Sequence, residues 1–172
     1  MEEYLNVALN NFKSYKDLAD KAIAQLNENE LHYSIDQESN SIAIIMQHMI
    51  GNAKSRFINF FTEDGEKPNR NRDEEFIEKN ISKSDLIQQW NDAWQIVFEL
   101  LENMTADELL NTVSIRNEKQ SALKAINRQV AHYAYHVGQI VFLAKHIRKN
   151  EWNTLSIAKG KSEEYNQSMK KN

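Results

Sequence analysis

The stretch QVAHYAYHVGQIVFLA, residues 129–144, carries no charged side chain, although Arg128 and Lys145 bracket it. Apolar residues lie nearly all around its helical projection, and a helix of that kind is usually buried on several sides. It therefore predicts a central helix over about residues 121–148. Two histidines, His132 and His136, stand four residues apart within its apolar run.

Outward from this segment the same periodicity returns three times. Leu86, Trp90, Ala93 or Trp94, Val97, Leu100 and Leu101 predict a helix over about residues 82–103, with Ser82 and Asp85 as a capping pair at its start. Ile42, Ile45, Met49, Ala53, Phe57 and Phe60 predict another over about residues 39–62. Leu5, Leu9, Phe12, Tyr15 or Lys16, Leu18, Ala22 and Leu26 predict the first, over about residues 2–27. NENELHYSIDQESN, residues 27–40, breaks the pattern with turn-favouring residues, and TEDGEKPNRNRDEE, residues 62–75, reads as an exposed connection containing Gly65 and Pro68. Thr105 and Glu108 form a second capping pair. In NTVSIRNEKQ, residues 111–120, Thr112, Val113 and Ile115 favour a short hairpin-like excursion. In the tail, Trp152, Leu155 and Ile157 are expected to pack back, and the polar end to fray.

The 172 residues are enough for one domain with a proper core, and the chain is read as a single domain over 1–172. Four glycines and one proline are few breakers, which favours long helices over a many-turned sheet. The expected class is all-α, as a four-helix bundle. The formal charge of −4 is small and the Lys and Arg residues are scattered, so neither nucleic acid nor an anionic membrane is an expected partner. No apolar run approaches the roughly 20 residues needed to span a bilayer, and Met1-Glu2-Glu3 lacks the layout of a secretory signal. The lack of cysteine excludes a disulfide scaffold, a thiolate zinc site and a cysteine nucleophile, and fits a cytoplasmic location.

Five histidines occur: His32, His48, His132, His136 and His146. Residues at i and i+4 of a helix point the same way from successive turns, so His132 and His136 can both reach one metal ion at about 2.0–2.1 Å. Tyr133 stands where an H-E-x-x-H zinc protease carries its glutamate, which removes that reading. A third ligand from a facing helix is needed, and His48, mid-helix in IIMQHMIGN, is the candidate, with Gly51 nearby expected to leave space for a metal or substrate. His146 lies about 15 Å beyond His136 along the axis, too far to share an ion. His32 falls in the polar connection and reads as solvated. A bland alternative stands beside this one, since a buried histidine is more often hydrogen-bonded structure than ligand.

At these positions the sequence resembles the DinB/YfiT-like superfamily of bacterial four-helix bundles, which has a histidine midway along the second helix and H-x-x-x-H on the fourth. EDGEKPNRNRDEEF, NRQVAHYAYHVGQIVFLAK and GKSEEYN look like one branch of it, known mainly as a domain of unknown function. The resemblance implies a divalent metal, zinc or nickel most often, held by His48, His132 and His136 with open positions. It also implies transfer of a low-molecular-weight thiol, such as bacillithiol, to an electrophile. Metal-dependent hydrolysis, or a non-catalytic bundle that binds metal or a partner, are the alternatives, and a homodimer is a guess from relatives.

A three-imidazole site supports either reaction, because neutral ligands leave the ion its full charge. A hydrolase normally wants a nearby base, and no Asp or Glu lies within one turn of His48, His132 or His136, which tips the reading toward thiolate activation. Gln129, Gln139 and Asn52 are placed to orient a ligand, with ordinary inter-helix hydrogen bonding as the blander role. Arg56, Arg70, Arg72 and Arg128 could each hold a carboxylate, but each reads first as a surface ion pair. Tyr133, Tyr135, Trp90 and Trp94 read as core or interface packing.

Overall fold

The computed structural model describes residues 1–170. Its helices are α1 (Glu2–Ile23), α2 (Glu28–Leu31), α3 (Ile42–Phe57), α4 (Lys83–Asn103), α5 (Ala122–Arg148) and α6 (Ser162–Met169), and its strands are β1 (Thr112–Ile115) and β2 (Glu118–Ser121). The fold is thus mostly helical, with one small two-stranded sheet. None of the helices described is long and apolar enough to cross a membrane.

Serine side chains start three of the long helices. Ser41 Oγ accepts from the Ile44 amide at 3.2 Å, Ser82 Oγ from Asp85 at 3.1 Å and Ser121 Oγ from Lys124 at 3.2 Å. Each satisfies an amide that the first helical turn leaves without an intrahelical partner. The polar segment expected between the first two long helices contains the short α2, closed by a reciprocal capping box. Glu30 N donates to Asn27 Oδ1 at 3.0 Å and Asn27 N to Glu30 Oε2 at 2.8 Å.

α1 packs on α5 and α3 on α4, while α3 also meets α5 and α1 also meets α4. The four long helices therefore close a ring of contacts. Phe12, Trp90, Trp94, Tyr133, Met46 and Met49 fill its middle, all nearly inaccessible to solvent. Tyr133 sits edge-on to Phe12 and Trp94, with centroids 5.2 and 5.0 Å away, a geometry that pairs ring edges with ring faces. The Trp90 indole donates to Asp20 Oδ1 at 2.8 Å.

The expected ranking of the helices by burial fails here. The helix surrounded on all sides is α3, not α5: every α3 residue except Gly51 and Lys54 is buried. α4, α5 and a 3-10 turn at Asp73–Phe76 all pack against it. α5 keeps an open face on which Tyr135 and Phe142 are 58% and 69% exposed. Lack of charge marked α5 as the most buried, but burial follows from the number of neighbours a helix has. The segment 62–75 is an exposed connection over most of its length, as expected, but not throughout. It folds back on α3, burying Gly65 and Glu75.

The short hairpin is present, with Thr112 opposite Ser121 and Ile115 opposite Glu118. Its turn residues Arg116 and Asn117 have φ of 56° and 63°, the primed turn whose twist matches paired strands. Asp64 supports this turn. It accepts from Arg116 N and Asn117 N, both at 2.8 Å, from Ser114 Oγ at 2.6 Å and from Glu66 N at 2.7 Å. Together with Gly65 N donating to Ser114 O at 2.8 Å, these bonds place the C-terminal end of α3 beside the start of α5. Arg148, at the far end of α5, pairs with Glu30 at 3.0 Å, ahead of α3, so the two helices run antiparallel. In the tail, Trp152 and Leu155 pack against the core, as expected, whereas Ile157 is exposed. The polar end expected to fray instead forms α6, all of it exposed, and residues 171 and 172 lie outside the described residues.

Burial raises the Asp64 pKa, but the hydrogen bonds from Ser114 and the amides of Glu66, Asn117 and Arg116 outweigh it and hold the carboxyl well below the usual carboxylate range. The folded value is depressed, so its stabilisation is full above the ordinary aspartate pKa of about 3.9 and is lost as pH falls toward the folded value. Asp64→Ala is expected to cost about 1–2 kcal/mol at pH 7. Urea unfolding at several pH values should show a smaller acid-induced loss in the variant than in the natural protein.

Candidate metal centre

α3 carries His48 to the middle of its path across α5, and α5 presents His132 and His136 from successive turns. His132 Nε2 lies 3.3 Å from His48 Nε2 and 3.1 Å from His136 Nε2. One ligand atom from each ring falls within 4.8 Å of the other two. Four-coordinate zinc with nitrogen ligands at 2.0–2.1 Å sets neighbouring nitrogens about 3.3 Å apart, so the spacing fits a shared ion. His32 and His146 stay outside the group. His32, expected to be solvated, is half-buried, with Nδ1 2.9 Å from Glu78 Oε1 and Nε2 3.0 Å from the Ile81 carbonyl.

The outer nitrogens decide which way the lone pairs point. His48 Nδ1 donates to Glu75 Oε2 at 2.9 Å, because a carboxylate can only accept. His136 Nδ1 donates to Gln139 Oε1 at 2.9 Å. In the neutral rings both Nε2 atoms are then bare and face the third imidazole. His132 has one proton to offer, which can satisfy only one of them, and its buried Nδ1 has no partner among the described residues. Protein atoms alone leave lone pairs facing one another; a cation would accept three at once. The three imidazoles could thus hold a metal ion.

Burial pushes His132 down to about 3, helped by the neighbouring His136 and His48. Burial also lowers His136 to about 4, with His48 adding to the effect and the Gln139 bond opposing it. Both rings are therefore neutral at pH 7, the form that ligates metal.

Glu75 comes from the segment expected to be an exposed connection. Burial raises its pKa, yet hydrogen bonds from His48 and Arg70 bring the net shift downward and keep it ionised. Arg70 grips it with both arms, Nε to Oε1 at 2.7 Å and Nη2 to Oε2 at 2.8 Å. Glu66 then gathers Arg70, Arg56 and Arg116, the last two at 2.9 Å each. Arg56 also donates to the Gly65 carbonyl. Arg56 and Arg70 are thus buried ion pairs instead of surface ones, and sequence spacing offered no sign of Glu75. Gly51, expected to leave space for a metal or substrate, gives that space to Glu75 instead. A Cβ there would overlap Glu75 Oε1 and lie 2.6 Å from Glu75 Cδ.

Phe76 stacks on His48 with centroids 4.8 Å apart, and the Arg72 guanidinium lies 4.8 Å from the Phe76 ring. Arg128 is exposed. Gln139 orients His136, as described, whereas Asn52 Oδ1 and Gln129 Oε1 are buried without a hydrogen-bond partner among the described residues. Trp90, Trp94 and Tyr133 are core, but Tyr135 is exposed, with its ring 4.4 Å from His136.

Residues 1–161 match the family DUF1572, described as a protein of unknown function. None of the curated proteins matches the chain.

Removing one partner of a buried ion pair leaves the other charge uncompensated. Arg70→Ala leaves the buried Glu75 carboxylate without its forked ion pair, while Glu66 keeps Arg56 and Arg116, and is expected to destabilise the fold by about 3–5 kcal/mol. Arg72→Ala is expected to stay within about 0.5 kcal/mol. Chemical denaturation of the two variants side by side checks this difference.

Proposed function

The chain belongs to the DUF1572 family, and we propose that in it His48, His132 and His136 hold one divalent metal ion at an enzymatic centre. The observation that carries this reading is the meeting of three Nε2 edges while the outer nitrogens of His48 and His136 are bonded away from them. An all-imidazole donor set suits zinc or nickel. The ring of four long helices supports a DinB/YfiT-like four-helix bundle forming a single domain.

A divalent ion there supplies positive charge that brings the pKa of a coordinated water or thiol toward neutrality. The residues favour the thiol. A hydrolase needs a base aimed at the attacking water. Glu75 is the carboxylate bonded to the histidine group, and both its oxygens are engaged by His48 and Arg70 on the side of the His48 ring away from Nε2. The reaction we propose joins a low-molecular-weight thiol to an electrophilic carbon. The sulfur–carbon bond forms as the carbon–leaving-group bond breaks, and the thiol proton passes to solvent. His132 is the least buried of the three rings, which makes it the side from which a small molecule would approach.

Elemental analysis of untagged protein tests the ligands. It is expected to find close to one zinc or nickel per chain, and almost none in the triple variant His48→Ala/His132→Ala/His136→Ala. Adding zinc to metal-stripped protein at about 1,000 times Kd should stabilise it by about 4 kcal/mol, and should leave the triple variant unchanged. Equal metal content in the two proteins would end the proposal. For the reaction, metal-loaded protein is mixed with a panel of low-molecular-weight thiols and an alkylating electrophile. Thiol loss above the rate seen with the triple variant supports transfer, and no difference across the panel removes it.

A further inference from the structure

We infer that Glu75 is a positioning residue for the candidate metal centre, and that Gly51 is glycine because Glu75 needs its space. The inference rests on the metal reading above and adds what makes His48 a ligand. An imidazole offers a lone pair at Nε2 only when its proton sits on Nδ1, and the acceptor facing Nδ1 sets that choice. Here the acceptor is Glu75 Oε2, 2.9 Å away. The bond also fixes the ring's rotation, since Nδ1 and Nε2 lie on opposite edges and one edge is tied to the carboxylate.

Glu75 reaches this place through a strap of chain laid over α3. Arg70 holds its carboxylate from one end. On the other side Phe76 stacks on His48, Gln47 Nε2 donates to the Ile77 carbonyl at 3.2 Å, and Ser41 Oγ donates to Glu78 Oε2 at 3.2 Å. The Glu75 carboxylate lies so close to the helix that any side chain at position 51 would displace it. Contact with His48 requires the seat beside the helix backbone that Gly51 provides. The negative charge of Glu75 also stands between the Arg70 guanidinium and the site, which screens a bound cation from a fixed positive charge.

Binding of zinc, in competition with a chromophoric chelator, and the absorption spectrum of the cobalt-substituted protein provide the test. The variants are Glu75→Ala, Glu75→Gln, Gly51→Ala, Gly51→Ala/Glu75→Ala and His132→Ala. Glu75→Ala and Gly51→Ala are each expected to weaken zinc binding about 10–100-fold and to alter the cobalt spectrum. Glu75→Gln keeps an acceptor for Nδ1–H and should recover part of the loss. The double variant should bind no more weakly than Glu75→Ala, because the added methyl then has nothing to displace. In the metal-free protein, nitrogen NMR should find the His48 proton on Nδ1, and a mixture of tautomers in Glu75→Ala. This signature separates positioning from loss of fold, since an unfolded variant loses the dispersed spectrum altogether. Natural affinity and tautomer in Glu75→Ala and Gly51→Ala, with binding lost in His132→Ala, would overturn the role of Glu75 and leave the metal site standing. Natural affinity in His132→Ala as well would overturn the metal reading itself.

Discussion

A carboxylate in a protein interior either finds partners for its charge or gives the charge up. Glu75 keeps it, because Arg70 supplies a forked pair of donors and His48 a third. The arrangement of the candidate centre follows from this contact. It ties residues 62–81 to the middle of α3 and holds His48 with its inner nitrogen toward α5. It also requires a helix position with no side chain, which Gly51 meets.

The same chain of charges explains how α3 tolerates being surrounded. Gln47, His48, Asn52, Ser55 and Arg56 are all buried on it, an unusual polar load for an interior helix. The folded-back segment pairs much of that load. Gly65 O accepts from Ser55 Oγ at 2.6 Å and from Arg56, Ile77 O accepts from Gln47, and Glu66 and Glu75 balance Arg56 and Arg70. A stretch that looks like solvated linker, dense in charge with a glycine and a proline, stays exposed over most of its length yet supplies polar partners to the interior around α3. Its charges are numerous because they neutralise one another across the segment and the helix.

Much of the architecture was legible beforehand. The four long helices came from apolar residues at three- and four-residue steps, and the structure ends them within a few residues of the expected bounds, except that α3 stops at Phe57. Asn59, with φ of 51°, turns the chain there. The strand-favouring Thr112, Val113 and Ile115 form the expected hairpin. The pair His132 and His136 was visible as a helical repeat, and His48 as the facing candidate. Missed were the burial of Arg56 and Arg70, the paired role of His32, the exposure of Tyr135 and the arrival of Glu75. In each case composition was a poor guide, since charged residues bury when they bring their partners with them and apolar ones stay exposed when no neighbour covers them.

What the sequence by itself determined was local: helix periods, serine caps and two histidines on one face. These depend on residues within a turn or two of each other, where spacing and geometry are the same thing. Only the tertiary structure decided which residues complete the centre. Glu75 meets His48 across 27 positions and His48 meets His132 across 84. Such contacts depend on where a connection folds and how two helices cross. No local repeat encodes that, so Glu75 became recognisable as the partner of His48 only once the chain had closed around α3.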